Sequence, residues 1–336
     1  MVMDLWNTIK SKRFSPVYLL YGEEEYFIKK TKALICEHAL SEEEAEFNLE
    51  TMDLEETPVE LAIEELETLP FIGERRVVIL HNPAFLTAER KKEKVEHDLK
   101  RLESYLANPS PTSIAIFIAP YPKLDERKKI TKELKRNATV LEAKPLYEKE
   151  LSKWITANAK SLGVSITPEA VETLLSLTGN HLMMAAGELE KLALYADIEQ
   201  EIDKEMVNKL VPKSFDQNVF DLVDYIMNGQ KKEAVQLYKE LLILKEEPIR
   251  ILAAIARQYR IILQVKKLSG QGYGAQQIAS KLKMSPYPVK LAMKRIRDFS
   301  EEKLMRALAE LAELDYRMKS GAGDKEILLE LFILRS

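Results

Sequence analysis

The chain has 336 residues, 46% of them hydrophobic and 31% charged, with a net charge of −4, which is enough length for two or three domains with real cores. Its first residues, MVMDLWNTIKSKRF, lack the apolar centre of a secretory signal, and no apolar run approaches the roughly 18 residues of a membrane span, so a cytoplasmic protein that touches no membrane is expected. The single Cys36 excludes an internal disulfide or a cysteine-rich zinc site, and His38, His81, His97 and His181 are scattered, so no metal is expected.

Up to about residue 143, strand-like and helix-like segments alternate. The short apolar runs 17-VYLLY-21, 76-RVVIL-80, 114-IAIFIA-119 and 139-TVLEA-143 read as strands, and helices are expected over 26–39, 58–69, 88–107 and 125–136. Near-continuous apolar strands separated by helices imply a parallel sheet covered on both faces, hence an α/β domain over 1–143. Within it, Thr57-Pro58-Val59-Glu60 has the spacing of a capping box, and Val59, Ala62, Ile63 and Leu66 form a stripe to be buried.

From Pro145 onward the strand signal disappears. A small helical domain is expected over 144–212, with helices at 148–163, 167–179 and 181–196; Thr167 would be an N-cap, Pro168 the first helical residue and Gly179 a stop. The stretch 212-PKSFDQN-218 is a plausible linker. Residues 219–336 then read as five or six helices in a C-terminal domain starting at 213, with starts at Pro248, Ser285–Pro286 and Ser300 and breaks at Gly229, Gly270/Gly272/Gly274 and Gly321/Gly323.

Charge is unevenly placed. Glu37 to Glu67 contains 13 acidic residues and no Lys or Arg, whereas Ile251 to Arg297 contains ten Lys or Arg and no acidic residue. Such blocks bear on partners rather than on fold.

An α/β domain followed by a small helical lid resembles the layout of AAA+ ATPases, yet the nucleotide parts are missing. A phosphate-cradling loop needs several glycines, then a Lys and a Ser or Thr. Here Gly22 stands alone before Glu23, Glu24 and Glu25. Those carboxylates suit the positive end of a helix and would fill the place of an anion. The run 114-IAIFIA-119 is followed by Pro120, Tyr121 and Pro122 where an acidic motif for Mg²⁺ and water would stand, and Leu182 or Met183 holds the place of the lid arginine. No GxSxG elbow, HExxH helix or Cys/His nucleophile pair is present. A different reading comes from 274-GAQQIASKLKMSPYPVKLAMKRIRDF-299, where Ile278–Ala279, Leu282, Met284–Ser285 and Val289 have helix-turn-helix spacing. Lys290, Lys294, Arg295 and Arg297 would decorate the second helix of a DNA-binding regulator.

The collinear set 16-PVYLLYGEEEYFI-28, 68-TLPFIGERRVVIL-80, 123-KLDERKKITKELK-135, 186-AGELEKLALY-195, 218-NVFDLVDYIMNG-229, 247-EPIRILAAIARQYRIIL-263 and 319-KSGAGDKEILLE-330 resembles the delta subunit of bacterial DNA polymerase III across essentially the whole chain. The resemblance implies AAA+-like first and second domains without a working ATP site or cofactor, and a helical collar domain. It also implies binding and opening of the sliding clamp (beta subunit), beside the tau/gamma ATPase subunits and delta prime, to load the ring on primer-template DNA. In that family a hydrophobic pair at the tip of a first-domain helix carries the clamp contact. Here it maps to Leu69–Pro70–Phe71–Ile72, with Leu69 and Phe71 as the wedge and Ile72 in support, because Pro70 and the extra Ile72 blur the pair. Read from the residues alone, Phe71 could instead fold back onto the sheet edge. In the basic block, Arg257, Arg260, Lys266 and Lys267 follow the apolar stripe Ile251, Leu252, Ile255, Tyr259 and Ile262, and are expected to face DNA or a neighbouring subunit.

Overall fold

The computed structural model describes residues 2–88, 95–179, 181–196, 201–284, 286–296 and 300–336. The chain divides into two compact units, Met1–Leu146 and Tyr147–Ser336.

In the first unit the elements run α1 (Val2–Lys10), β1 (Val17–Gly22), α2 (Glu25–Ala39), α3 (Glu42–Asn48), β2 (Leu49–Asp53), α4 (Val59–Glu67), β3 (Arg76–His81), α5 (Leu99–Ala107), β4 (Ser113–Ala119), α6 (Lys129–Asn137) and β5 (Thr139–Ala143). The strands form one sheet in the order β2-β3-β4-β1-β5, and every pairing is parallel. All residues of β1 and β4 are buried, as their unbroken apolar runs require for central strands covered on both faces. One side of the sheet packs Val17, Leu19, Val78, Leu80, Ala115 and Phe117 against the buried stripes of α4, α5 and α6.

The expected α/β architecture is observed, with differences in detail. A fifth strand, β2, and the helices α1 and α3 were not anticipated. Helix α5 begins at Leu99, where Asp98 accepts hydrogen bonds from the Lys100 and Arg101 amides, not at residue 88; residues 89–94 lie outside the described residues. The capping box at Thr57–Glu60 does not form. Pro58 caps α4 without a side-chain bond, the Val59 amide donates to His97 Nδ1 at 3.2 Å, and Glu60 accepts from the Asp98 amide at 3.1 Å. The carboxylate is thus recruited across 38 residues to the entry of α5. Val59, Ala62, Ile63 and Leu66 are all buried.

Among the described residues the second unit is helical apart from a parallel bridge between Ile166 and Ile202. It runs α7 (Glu148–Ser161), α8 (Pro168–Leu177), α9 (Leu182–Tyr195), α10 (Lys204–Leu210), α11 (Phe215–Met227), α12 (Lys231–Ile243), α13 (Pro248–Gly270), α14 (Ala275–Leu282), α15 (Pro286–Arg295), α16 (Glu301–Lys319) and α17 (Lys325–Arg335). Thr167 caps α8 with Pro168 in its first turn, Gly179 adopts a φ of +65° beyond the helix end, and Ser300 caps α16. The expected linker at 212–218 is largely helix, since the Ser214 hydroxyl accepts from the Gln217 amide and starts α11 at Phe215. Among the described residues the last part of the chain holds seven helices rather than five or six. Ser285, expected to mark a helix start, lies outside the described residues. A continuous core from Val219 to Ile333 joins α11 to α17.

Candidate functional site

Helix α3 has only seven residues, EEEAEFN, and little hydrophobic periodicity. It stands because Ser41 and Glu44 exchange hydrogen bonds: the Ser41 amide donates to Glu44 Oε2 at 2.7 Å and the Glu44 amide donates to Ser41 Oγ at 3.3 Å. This donation holds the Glu44 carboxyl below the usual carboxylate range. Glu42 and Glu43 add to the favourable interaction with the helix dipole.

Helix α4 ends where the Thr68 amide donates to the Glu64 and Glu65 carbonyls. The segment 69–75 has no regular structure, and α3 holds it. Asn48, fully buried at the end of α3, accepts from the Phe71 amide at 2.8 Å through Oδ1 and donates through Nδ2 to the Ile72 carbonyl at 2.6 Å. Gly73 takes a φ of +72°, and the Glu44 carboxylate occupies the space where a side chain at 73 would project. At the exit of the turn, Arg75 lies over the Phe14 ring at 5.1 Å, and Arg76 pairs with Glu65 to fasten α4 to β3.

The turn presents Leu69 at 73% exposure and Phe71 at 74%, while Ile72 is half-buried. Phe71 therefore does not fold back onto the sheet edge. Its ring instead lies 5.3 Å from that of Phe47, itself 52% exposed, at an interplanar angle of 30°. Leu69 stands two residues beyond the end of α4 rather than on the helix tip. Phe47, Asn48 and Glu44 were missed by sequence reasoning. The one legible trace was the Ser41-x-x-Glu44 spacing in front of a lone aromatic in an acidic run.

At the other candidate position, Gly22 has a φ of +129° and lies so close to the Ala143 carbonyl that any side chain would collide with it. The Glu24 amide donates to that carbonyl at 2.9 Å, and the Glu24 carboxylate accepts from the Tyr26 amide at 3.3 Å. Two amides that an anion at this helix start would need are thus already bonded within the chain. Glu23 is exposed, and Glu25 pairs with Lys29 at 2.6 Å. Among the described residues no group of three or more His, Cys, Asp or Glu is arranged to hold a metal ion, and no helix is long and apolar enough to cross a membrane.

In α13 the stripe Ile251, Leu252, Ile255, Tyr259 and Ile262 is buried. The four expected contact cations separate. Arg257, Arg260 and Lys267 are exposed and, at about 100° per residue, share the face opposite that stripe. Lys266 falls on the core side and donates to the Ile296 carbonyl at 2.6 Å, so the structure places it apart from the other three. Asp216 is held below its usual range first by His181, 3.3 Å away, and further by the charges of Arg257 and Arg250. The helical hairpin read as a helix-turn-helix exists as α14 and α15. Its inner residues Ile278, Ala279, Val289 and Ala292 belong to the core shared with α13, while Arg297 and the side chains of Lys294 and Arg295 lie outside the described residues.

Comparison with known proteins bears on the whole chain. The family model described as DNA polymerase III, delta subunit matches residues 18–144, one described as a middle domain matches 147–209, and one described as the C-terminal domain of the same delta protein matches 216–336. The chain is 46% identical over 335 residues to the DNA polymerase III subunit delta of Bacillus subtilis, covering 100% of this chain and 96% of that protein. It is 24% identical to the probable DNA polymerase III subunit delta of Aquifex aeolicus, over 94% and 90% of the two chains. Among solved structures, the Bacillus subtilis DNA clamp loader delta protein superposes with a TM-score of 0.82 at 46% identity, covering 100% of this chain and 99% of that one.

Proposed function

The chain belongs to the DNA polymerase III delta subunit family, and we propose that it acts in a clamp loader by binding the sliding clamp and opening its ring for loading onto primed DNA. The observation that carries this reading is the 69–72 turn, where two large apolar side chains are held about three-quarters exposed by a backbone fastened from beneath. Exposed anchors on a stiff mount are what docking into an apolar pocket uses, because little ordering entropy is lost on binding.

In the same reading the subunit hydrolyses no ATP. The Glu24 amide and carboxylate close the helix start on themselves, and phosphoryl transfer needs loop, metal and charge neutralisation together. The energy to open and reset the ring then comes from partner ATPase subunits of the tau/gamma type, with delta prime completing the assembly. Residues 144–212 and 213–336 act as a lid-like module and a collar module. The test is direct: the purified chain, passed over immobilised sliding clamp, should bind it without nucleotide, and added ATP should leave the affinity unchanged. No binding to the clamp would refute the assignment.

A further inference from the structure

We infer that the docking surface is a two-element platform, Phe47 on α3 together with Leu69 and Phe71 on the turn, with Asn48 as its positioning residue, and that it takes a clamp surface formed by an apolar pocket edged with basic side chains. This rests on the clamp-binding reading above and extends it to residues on a different element. A half-exposed phenylalanine in a seven-residue helix contributes little to any core. Placed 5.3 Å from Phe71, however, it makes one contiguous apolar face from two segments more than twenty residues apart.

Asn48 gives that face its shape. The turn has no strand or helix neighbour to satisfy the Phe71 amide and the Ile72 carbonyl, and the buried Asn48 side chain takes both. Without it those groups lose their partners and Phe71 is free to leave Phe47. The surroundings fix the chemistry of the partner. Glu43, Glu46, Glu50, Glu67 and Glu74 are exposed on or beside the same segments, and no Lys or Arg occurs between Glu37 and Glu74. Although Lys12 lies near Glu44 and Arg75 follows Glu74, exposed acidic side chains predominate on the segments that carry the apolar face. Such a face matches a pocket with basic edges and disfavours acidic surfaces.

The experiment measures affinity of full-length variants for purified sliding clamp at low and moderate salt, with thermal melting in parallel. Phe47→Ala should weaken binding by about fivefold or more while lowering the melting temperature by only a few degrees, roughly in line with a half-buried side chain, and wild-type binding should weaken with salt. Asn48→Ala should weaken binding by about tenfold in the wild type but by less than about twofold when Phe71 is already alanine, because positioning matters only while there is a ring to position. A purely structural Asn48 would instead cost the same factor in both backgrounds. If Phe47→Ala binds like wild type while the Leu69→Ala/Phe71→Ala variant does not, the platform is wrong and the clamp reading stands. If that double variant also binds normally, the clamp reading itself fails. Salt-independent binding overturns the basic-edged pocket.

Discussion

Leu69→Ala combined with Phe71→Ala should cost the chain its clamp affinity while sparing its fold. In the free chain these side chains are 73% and 74% exposed, so roughly a quarter of each is already buried. Full burial of such a side chain is worth about 1.5–3 kcal/mol, which leaves about 1–2 kcal/mol each to be gained on docking, or about 2–4 kcal/mol for the pair. At 1.4 kcal/mol per decade this is a loss of roughly 30- to 1000-fold in affinity. The stability cost is smaller. The quarter already buried contributes about 1 kcal/mol for the two, and the half-exposed packing against Phe47 adds about 0.5 kcal/mol. A unit of this size moves by about 2–4 °C per kcal/mol, so the melting temperature should fall by only about 3–6 °C. Were the pair part of the core, truncation would cost about 5–10 kcal/mol, comparable to the whole stability of a domain. Surface plasmon resonance against the clamp and calorimetric melting on one preparation separate the cases. Unchanged affinity, or a collapse in melting temperature, would refute the reasoning.

Glu23→Lys, which returns one phosphate-binding cation to the Gly22 turn, should leave ATP turnover at the wild-type level in a steady-state assay, because the Glu24 amide stays bonded to Ala143. Reversing Arg257, Arg260 and Lys267 to glutamate should flatten the salt dependence of DNA binding by the assembled loader, by about one unit of slope for each phosphate no longer neutralised, or else weaken loader assembly. Lys266→Ala should leave both intact but lower stability by about 1 kcal/mol on denaturant titration, through loss of the bond to Ile296. Glu44 should titrate below the ordinary glutamate value when followed by carboxyl chemical shifts, through the hydrogen bonds with Ser41. Since its folded pKa is depressed, its stabilisation of α3 is present above the ordinary glutamate value of about 4.3 and is lost as pH falls through the lower folded value, where amide exchange in 42–48 should quicken. Titration at the ordinary glutamate value would remove the capping interaction from the account.

What was legible in the sequence follows the physics of each element. β1, β3 and β4 were readable because strands covered on both faces need unbroken or nearly unbroken apolar runs; β5, a partly buried edge strand, was readable from its β-branched Thr139 and Val140 ahead of Leu141. β2, the other edge strand, was not, since LETMD has neither an apolar run nor a β-branched apolar residue to mark it. α3 escaped for a related reason: seven residues held by a cap and by charge show no helical stripe. The exposed pair Leu69 and Phe71 was found through family resemblance, as composition alone would have sent Phe71 inward. The Asn48 support was invisible because it is a side chain reaching 23 and 24 residues along the chain to unpaired backbone. Lys266, by contrast, could have been separated from its neighbours beforehand, since it follows Ile262 by four residues and so shares the face of the buried stripe.

Because all five strands run the same way, the sheet has two unlike rims. The docking turn leads into β3 and Asn48 into β2, so both lie on the entry rim at one flank of the sheet. Gly22 and Ala143 close β1 and β5 on the exit rim at the other flank. Strands of five or six residues separate the rims by about 17–20 Å, and a closed ladder of hydrogen bonds does not stretch. A neighbouring subunit that grips the exit rim therefore has no means of loosening the hook at the opposite corner. On the clamp-opening reading proposed above, such a neighbour would swing it, as a hand turns a rigid lever, and the angle at which this unit is held would be the variable through which it acts on the ring.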